Sequence, residues 1–345
     1  MKGAFINLKI NYISLKKWCE CILEEVGIKK SNREIFIDTL LEANLRGKDS
    51  HGIIRLPIYI ERIERRLIKK NSEPQLIKKF GSVSLYNGNN GLGQIIAYKT
   101  IKKCTSEAIK SGISVAGVKQ ANHFGLAAYY SEIPTKEGMI GFLCCNAAPV
   151  MAPIGINTPL LGTNPLAISI PTPWNYALTL DMATSVLSRG KIRQLGKEAN
   201  FKELALSRNG FPAKNVEEAL EGILLPLGGY KGFGLALMID IIAGVVTGSM
   251  FAENVGSTKD MTKVSGTGFF VGAFNIESMI NLSVFYKKLE IIYEKAKKFN
   301  IRLPGDNSQK IRKKRLKEGI PLKEPIIKKL ITLGERYGHA FRIVC

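Results

Sequence analysis

Histidine and acidic side chains are scarce in this sequence, and several common motifs are missing. The 345 residues include three histidines, and 29 acidic residues stand against 50 lysines and arginines, a formal net charge of +21. No Gly-x-Gly-x-x-Gly fingerprint follows a strand-like run and opens a helix, which argues against a Rossmann dinucleotide site. Phosphate-loop and kinase motifs are also missing. Cysteine and histidine pairs at the spacing of zinc ligands are lacking, so no metal site is predicted.

Cysteine usage and hydropathy predict where the protein resides. The six cysteines form no Cys-x-x-Cys pair, and their positions within apolar segments predict buried thiols in a reducing compartment. The longest apolar stretch, residues 233–251, is interrupted by Asp240 and contains several glycines, which predicts a buried helix and not a membrane span. The N-terminal residues show no long apolar core or small-residue cleavage site. We therefore expect a cytoplasmic protein that does not insert into a membrane.

The excess of positive charge has two interpretations. One is nucleic-acid binding through neutralised phosphates. Against it, the lysines are scattered, no RNA-binding aromatic signature or zinc-finger spacing is present, and the densest run, residues 310–317, is typical of a solvated helix. Nucleic-acid binding is therefore not expected. A positive field also favours small anions, such as a carboxylate substrate or a phosphorylated cofactor.

Two of the three histidines lie in short polar motifs, DSHGIIR at residues 49–55 and NHFG at residues 122–125. If the first segment is helical, His51 and Arg55 are four residues apart and share one face. An imidazole that exchanges protons near neutral pH, beside a guanidinium, suits a substrate whose carboxylate adjoins a reacting carbon. The alternative is a histidine at a helix end with an exposed arginine nearby.

The pattern along the chain predicts helices over the first seventy or so residues and then alternating strands and helices. The second histidine follows an apolar strand at residues 113–118 and precedes a helix at residues 126–137, a favoured place for binding groups. A helix is predicted to begin at residues 181–184 with Asp181 as an acidic cap. Residues 197–215 are predicted to form an exposed, irregular excursion. Two helices are expected after residue 282.

Seven motifs occur together in the order of one family. They are RGKDSHGIIR at residues 46–55, NHFG at 122–125, GTNP at 162–165, LDMA at 180–183, RGKI at 189–192, GGYKG at 228–232 and RLPG at 302–305. In these motifs the chain resembles the malate/L-lactate dehydrogenase type 2 family, over residues 10–335. That family also includes ureidoglycolate and sulfolactate dehydrogenases, diketogulonate reductases and piperideine-carboxylate reductases.

The resemblance implies a homodimer with an α/β (α+β) fold that binds NAD(P) without a Rossmann domain, which explains the missing glycine fingerprint. Residues 1–75 would form a helical N-terminal segment that carries the first histidine motif. Residues 76–275 would form a mixed-sheet cofactor domain. Residues 276–345 would form C-terminal helices that pack back on the N-terminal part.

The resemblance also implies roles for individual residues. His51 would be the proton donor and acceptor, assisted by Ser50, and Arg55 would hold the substrate carboxylate. The histidine at position 123 has an acid–base role in some members. Substrate contacts are implied for Thr163, Arg189 and Gly190. Cofactor contacts are implied for His123, Phe124, Gly125, Leu126, Ala127, Asp181, Met182, Ala183, Lys231, Arg302, Leu303, Pro304 and Gly305.

Several of these residues have a plainer interpretation. Lys231 between glycines could be a surface lysine at a helix start, Asp181 only a cap, and Thr163 part of a turn. His339 has no motif around it and is interpreted as a surface residue. The segment that follows residue 192 departs from the family pattern, which leaves loop conformation and substrate identity open.

The predicted function is therefore hydride transfer between NAD or NADP and a small 2-hydroxyacid or 2-oxoacid, malate- or lactate-like. The base removes the hydroxyl proton while the carbinol carbon gives up its hydride. Within the family, the alternatives are a cyclic imino acid reductase or a ureidoglycolate or sulfolactate dehydrogenase. An alternative of another class is a basic nucleic-acid-binding protein that keeps the dehydrogenase fold but has lost the enzymatic activity.

Overall fold

A computed structural model describes residues 7–153, 155–193, 195–196 and 199–341. The strands are β1 (Asn7–Ile10), β2 (Gln75–Phe80), β3 (Val83–Asn87), β4 (Ile113–Ala121), β5 (Met139–Cys145), β6 (Leu166–Ile170), β7 (Leu178–Met182), β8 (Ala205–Leu206), β9 (Ile223–Leu224), β10 (Thr267–Asn275) and β11 (Ile320–Lys323). The α-helices are α1 (Tyr12–Glu25), α2 (Lys30–Leu45), α3 (Leu56–Glu64), α4 (Gly93–Ser111), α5 (Ala127–Ser131), α6 (Arg189–Ile192), α7 (Val216–Glu221), α8 (Tyr230–Asp240), α9 (Leu282–Lys298), α10 (Asp306–Glu318) and α11 (Glu324–Arg336).

A seven-stranded mixed sheet forms the middle of the molecule, in the order β2-β3-β4-β10-β5-β6-β7. The β3–β4 pair is parallel, and the other neighbours in this sheet are antiparallel. A Rossmann sheet is built from parallel strands with helical crossovers, so this topology excludes that fold. The prediction of a non-Rossmann α/β fold with a mixed sheet is confirmed.

Helices cover both faces of this sheet. Ala116 and Val118 of β4 are buried in a core that includes Ile101 of α4. The intervening Gly117 faces the other side, where a Cβ would lie 2.9 Å from the Thr247 side chain, just after the π-helical continuation of α8. Because side chains alternate across a strand, α4 and the α8 region lie on opposite faces.

The two chain ends share one hydrophobic core. β1 pairs with β11, and Ile10 lies opposite Ile320 in this ladder. Leu330 of α11 is fully buried against apolar residues of α1, α2 and α3, such as Phe36 and Leu40. Burial of this kind is the main term that stabilises such a core. The domain boundaries implied by the resemblance stay a prediction.

The prediction of an exposed, irregular excursion over residues 197–215 is wrong only in part, since most side chains of its described part are exposed or partly exposed but three are buried. Phe201, Ala205 and Ala213 are buried, and they pack with Leu224 in a separate small core. β8 pairs with β9 and closes this unit. Single apolar residues spaced through a polar segment carry no periodic signal, so the burial comes from tertiary contacts. Residues 197 and 198 lie outside the described residues.

The helix predicted to begin at residues 181–184 is also wrong. Asp181 lies within β7, and its carboxylate accepts a hydrogen bond of 3.1 Å from the backbone N–H of Ala128, in the first turn of α5. The carboxylate therefore meets the start of a helix from a different part of the chain. The helix expected over residues 126–137 is shorter, since α5 ends at Ser131 and a 3₁₀ turn, Pro134–Glu137, follows. Within the described ranges, no helix has the length and hydropathy needed to cross a membrane.

Candidate active site

The first histidine motif forms two 3₁₀ turns, residues 49–51 and 53–55, before α3 begins. The extended backbone at Gly52 separates the turns, so His51 and Arg55 do not share one continuous α-helix as the spacing suggested. A Cβ on Gly52 would lie 2.2 Å from the side-chain oxygen of Asn44. Glycine is therefore required where the loop touches α2.

The Asn44 amide holds this loop in place from both sides. Its oxygen accepts a 2.7 Å hydrogen bond from the backbone N–H of Ile53, and its Nδ2 donates at 2.7 Å to Asp49. Asp49 also accepts two hydrogen bonds from Arg315 of α10, at 2.6 and 3.0 Å. The position of Ser50 and His51 thus depends on contacts with α2 and α10.

The two motif histidines stack on each other. Their ring centroids are 5.5 Å apart, and their planes are inclined by 18°. Nδ1 of His51 lies 2.9 Å from the hydroxyl of Ser50. Nδ1 of His123 accepts a 3.3 Å hydrogen bond from the backbone N–H of Gly125, and it also lies 2.5 Å from the Tyr59 hydroxyl. The sequence prediction had not included Tyr59.

Both imidazoles are held neutral by their surroundings. Burial, followed by the nearby charges of Arg55 and Lys48, lowers the pKa of His51 to about 4. Burial, Arg55 and His51 lower the pKa of His123 well below its usual value. Neutral imidazole can accept a proton, and an anionic ligand placed among these groups would raise both pKa values again.

Positive side chains without acidic partners lie beside the histidines. Arg55 donates from Nε to the backbone oxygen of Ser50 at 2.7 Å, and its Nη1 lies 3.5 Å from the Thr258 hydroxyl, at the long limit of a hydrogen bond. The charge of Arg55 lowers the pKa of Arg193, and Arg193, Arg189 and Arg55 in turn lower the pKa of Lys259, in each case after burial. None of these four side chains forms a salt bridge with a carboxylate in the part of the chain that the structure describes. We call them the basic cluster.

Glycine at position 190 allows the basic cluster to reach the histidines. A Cβ there would lie 2.4 Å from Cβ of Ser50, so α6 packs directly on the serine. The preceding Arg189 donates from Nη2 to the backbone oxygen of Gly222 at 2.9 Å. Its buried Nε has no hydrogen-bond partner among the described residues.

His51 opens into a long cleft made of two joined cavities. One, of about 430 Å³, contains Ser50, His51 and Thr163. The other, of about 340 Å³, extends to the start of α10. The residues that line both are Lys48, Leu126, Asp181 and Lys191.

Most residues assigned by resemblance lie along this cleft. The histidine-side cavity also contains Gly125, Leu126, Ala127, Asp181, Met182 and Ala183. The far cavity contains Arg302, Leu303, Pro304 and Gly305.

Several assigned residues and the third histidine line neither cavity. The assigned residues outside both linings are Arg55, His123, Phe124, Arg189, Gly190 and Lys231. The Phe124 side chain is buried in the sheet core, where it packs edge-on against Phe269. Lys231 is exposed in the first turn of α8 and lines neither cavity of the cleft. His339 is half-buried and lies 3.5 Å from Glu25, far along the chain from both motifs.

The site and its surroundings also include residues that sequence reasoning missed. Lys48 and Lys191 lie within two quoted motifs but were given no role. Tyr59 stands four residues after Arg55, so helical spacing could have indicated it. Arg193 and Lys259 come from separate loops, and their approach to Arg55 has no signal in the sequence.

Comparisons with known proteins identify the family. The model of the family described as malate/L-lactate dehydrogenase matches residues 10–331. The chain belongs to this family. The resemblance seen in the seven motifs is thereby confirmed.

Several relatives share nearly the whole length of the chain. The malate/(S)-sulfolactate dehydrogenase of Methanothermus fervidus is 36% identical over 91% of this chain and 94% of its own. The solved structure of malate dehydrogenase from Pyrococcus horikoshii has a TM-score of 0.88, 31% identity and 98% coverage of both chains. The L-sulfolactate dehydrogenase of Methanothermobacter thermautotrophicus is 33% identical over 91% of this chain and 92% of its own.

Proposed function

We propose that this protein is an NAD(P)-dependent dehydrogenase of 2-hydroxyacids that carry two anionic groups, such as malate or sulfolactate. The observation that carries the proposal is the basic cluster beside a stacked pair of neutral histidines. Relatives whose names include malate and sulfolactate support the same substrate class. Both acids combine a hydroxyl-bearing carbon and its carboxylate with a second anion.

The residues of the cleft fit a dinucleotide. Gly125 has φ 88°, and a Cβ there would meet little except the backbone oxygen of His51 at 3.8 Å, so a flat ring can approach this backbone. Lys48 and Lys191, where the two cavities join, suit the charge of a pyrophosphate, and Arg302 lies farther along. When bound, the nicotinamide accepts or supplies the hydride.

The remaining chemistry belongs to the side chains. In oxidation, Nε2 of His51 takes the hydroxyl proton, while Ser50 accepts a hydrogen bond from Nδ1–H and fixes the ring. His123 offers a second polar contact to the substrate oxygen. Arg55 pairs with the carboxylate and so positions the carbinol carbon. In reduction the proton passes back from His51 to the developing alkoxide.

The second anion of the substrate meets the rest of the basic cluster. The free Nε of Arg189 and the charges of Arg193 and Lys259 would stabilise a β-carboxylate or a sulfonate. Thr163 lines the histidine-side cavity, and Gly190 allows α6 to pack on Ser50. Lactate carries no second anion, so it would leave these cations uncompensated.

The first experiment measures cofactor binding and turnover together. We expect NADH or NADPH to raise the melting temperature and malate or sulfolactate to be oxidised. His51→Ala should lower turnover about 10²- to 10⁴-fold with little change in dinucleotide affinity, the range for loss of a general acid–base. A variant with near-normal turnover would shift the proton-transfer role to His123. A salt-sensitive shift with DNA and none with either dinucleotide would favour a nucleic-acid-binding function.

We also propose that two copies of the chain form a homodimer. The region of α8 and its π-helical continuation exposes large apolar side chains, including Met238, Val245, Val246 and Phe251, each about half-exposed or more. An apolar surface of this kind is typical of a protein interface. Light scattering should give twice the chain mass, and Val246→Glu should lower it.

A further inference from the structure

Helix α10 contacts both the far cavity and the loop at residues 49–55, which we call the histidine loop. The first turn of α10, residues 307–309, lines the cavity of about 340 Å³. Arg315 lies about two turns farther along the same helix, roughly 10 Å along its axis. There its guanidinium reaches Asp49, two residues before His51.

The contact between Arg315 and Asp49 is an ion pair with two hydrogen bonds. Nη1 donates to one carboxylate oxygen at 2.6 Å, and Nη2 donates to the other at 3.0 Å. Nη1 also donates to the backbone oxygen of Asn44 in α2. The two side chains are 16% and 26% exposed, so water screens the pair only in part. Such a pair fixes orientation as well as distance, since the planar guanidinium must face the carboxylate.

Asp49 passes this fixed position to His51 through the backbone. Asp49 begins the 3₁₀ turn whose third residue is His51. Its carboxylate also accepts a hydrogen bond from Asn44, whose amide oxygen holds the N–H of Ile53. The short segment that carries His51 is therefore anchored on both sides. The described hydrogen bonds of Arg315 go to Asp49 and Asn44 and not to the imidazole, so any effect of Arg315 on His51 is indirect.

A second arginine of α10 provides a matched comparison. Arg312 lies about one turn before Arg315 and donates from Nε to Glu42 of α2 at 2.7 Å. This pair is also partly buried. Glu42 lies outside the histidine loop, so the pair attaches α10 to α2 without a direct link to His51. The two arginines thus differ in which carboxylate they hold.

We propose that Arg315 is a positioning residue that sets the place of His51 through Asp49, and that α10 thereby couples the far cavity to the histidine loop. A helix moves as a nearly rigid element, so a ligand that contacts its first turn also biases the position of Arg315. Displacement of a catalytic group by about 1 Å can cost about 100-fold in rate. The coupling rests on the proposed function, since it requires a dinucleotide in the cleft, whereas the dependence of His51 on Arg315 does not.

NMR of the whole, unliganded protein tests this dependence without any substrate. The chain has three histidines, so ring signals are few, and the signals lost in His51→Asn are those of His51. In Arg315→Met the His51 signals should shift or broaden, because the pair that fixes Asp49 is gone. Arg315→Lys keeps the charge and one donor and should restore them in part. Arg312→Met is the matched control and should leave them unchanged.

Steady-state kinetics separates a positioning role from a general loss of stability. In Arg315→Met we expect kcat to fall about tenfold or more, with the KM for the 2-oxoacid changed less than about threefold. Asp49→Asn should lower kcat to a similar extent, and the double variant should be no slower than Asp49→Asn, because the two residues act in series. Arg312→Met should keep kcat within about twofold of the unaltered protein. All rates are measured well below the lowest melting temperature, so that unfolding does not contribute.

ADP-ribose tests the coupling, since it has the adenosine and pyrophosphate of the cofactor but no nicotinamide ring. Its binding should move the His51 signals in the unaltered protein and in Arg312→Met. The change should be lost in Arg315→Met. An equal change in Arg315→Met would contradict the coupling, because the effect would then reach His51 without Arg315.

The outcomes separate this assignment from the proposed function. His51 signals and kcat in Arg315→Met that match those of Arg312→Met would overturn it, as would losses in kcat that add up in the double variant with Asp49→Asn. If the His51 signals depend on Arg315 but ADP-ribose does not bind and neither dinucleotide supports turnover, the positioning role stands. The coupling and the dehydrogenase proposal then fail together.

Discussion

Arg46 and Arg55 belong to the same motif but have opposite surroundings. Arg46 donates to Glu42 at 2.7 Å and to both carboxylate oxygens of Glu132 at 2.5 and 2.7 Å, and all three side chains are largely buried. Arg55 donates to a backbone oxygen and lies among other cations of the basic cluster. The first arginine is compensated within the fold, and the second is not.

This difference distinguishes two uses of positive charge in a chain with a net charge of +21. A buried guanidinium with fixed carboxylate partners connects elements of the fold; Arg46 links α2 to Glu132. A guanidinium without a carboxylate leaves its donors for a ligand, and the field of its neighbours makes an anion the favourable ligand. The total charge therefore says less about function than the pairing of individual side chains.

The largest expected effect concerns Arg46, whose charge is compensated by carboxylates. Arg46→Met should lower the free energy of unfolding by about 3–5 kcal/mol, because it leaves the Glu132 carboxylate buried without its cationic partner, whereas Glu42 keeps Arg312. The matched variant Arg55→Met should leave that free energy nearly unchanged or raise it, since it removes repulsion. Urea denaturation of the two proteins measures both values. Equal destabilisation would contradict the distinction between the two arginines.

The next effect concerns Arg55, which has no carboxylate partner among the described residues. Arg55→Ala should raise the KM for the 2-oxoacid about 10- to 100-fold, the range for a lost hydrogen-bonded charge pair of about 1.5–3 kcal/mol. The affinity for the dinucleotide should change little, because Arg55 does not line the cavity that extends to α10. Steady-state kinetics with both substrates varied gives the two constants. An unchanged KM for the oxoacid would remove Arg55 from the substrate site.

The low pKa of His51 makes the stability of the fold depend on pH. The unfolded histidine has a pKa near 6.5 and the folded one about 4, so its contribution to stability is complete above pH 6.5, declines as pH falls, and is gone below about pH 4. After allowance for its partial exposure to the cleft, we expect about 1–2 kcal/mol less stability at pH 5 than at pH 7 from this group. Denaturation of His51→Asn should show a correspondingly weaker dependence on pH.

A smaller effect concerns the edge of the basic cluster. Lys259 is exposed, and removing its charge in Lys259→Gln should raise the KM for a dianionic substrate about two- to fivefold. The KM for a monoanionic substrate should stay the same. The difference should shrink as salt is added, because exposed charges are screened. Lys214→Gln, an exposed lysine outside the cleft, is the control.

Local patterns predicted the parts of the site that lie close together in sequence. The motif that carries Ser50, His51 and Arg55 is a short loop, and its residues meet as its spacing suggested, although 3₁₀ turns replace the α-helix. The mixed sheet followed from the resemblance, since no periodic signal distinguishes β10, which joins β4 and β5 from far along the chain.

The remainder depended on tertiary contacts. The sequence at Asp181 indicates a helix start, yet Asp181 lies in β7 and its carboxylate accepts a hydrogen bond from the backbone N–H of Ala128 in α5. The start of α4 reaches the second histidine motif because Gly93 permits a close approach to the backbone oxygens of Asn122 and His123. Such tertiary contacts join segments that share no hydrophobic periodicity, so the pattern of the sequence does not reveal them.

The ratio of specificity constants for two oxoacids tests the central claim most directly. Oxaloacetate and pyruvate share the reacting 2-oxoacid group and differ in the second carboxylate, which would meet the basic cluster. The account predicts that kcat/KM for oxaloacetate exceeds that for pyruvate by about 100-fold or more at low salt, equivalent to about 2.7 kcal/mol. Equal constants, or a preference for pyruvate, would contradict the claim that the unpaired cations select a second anion.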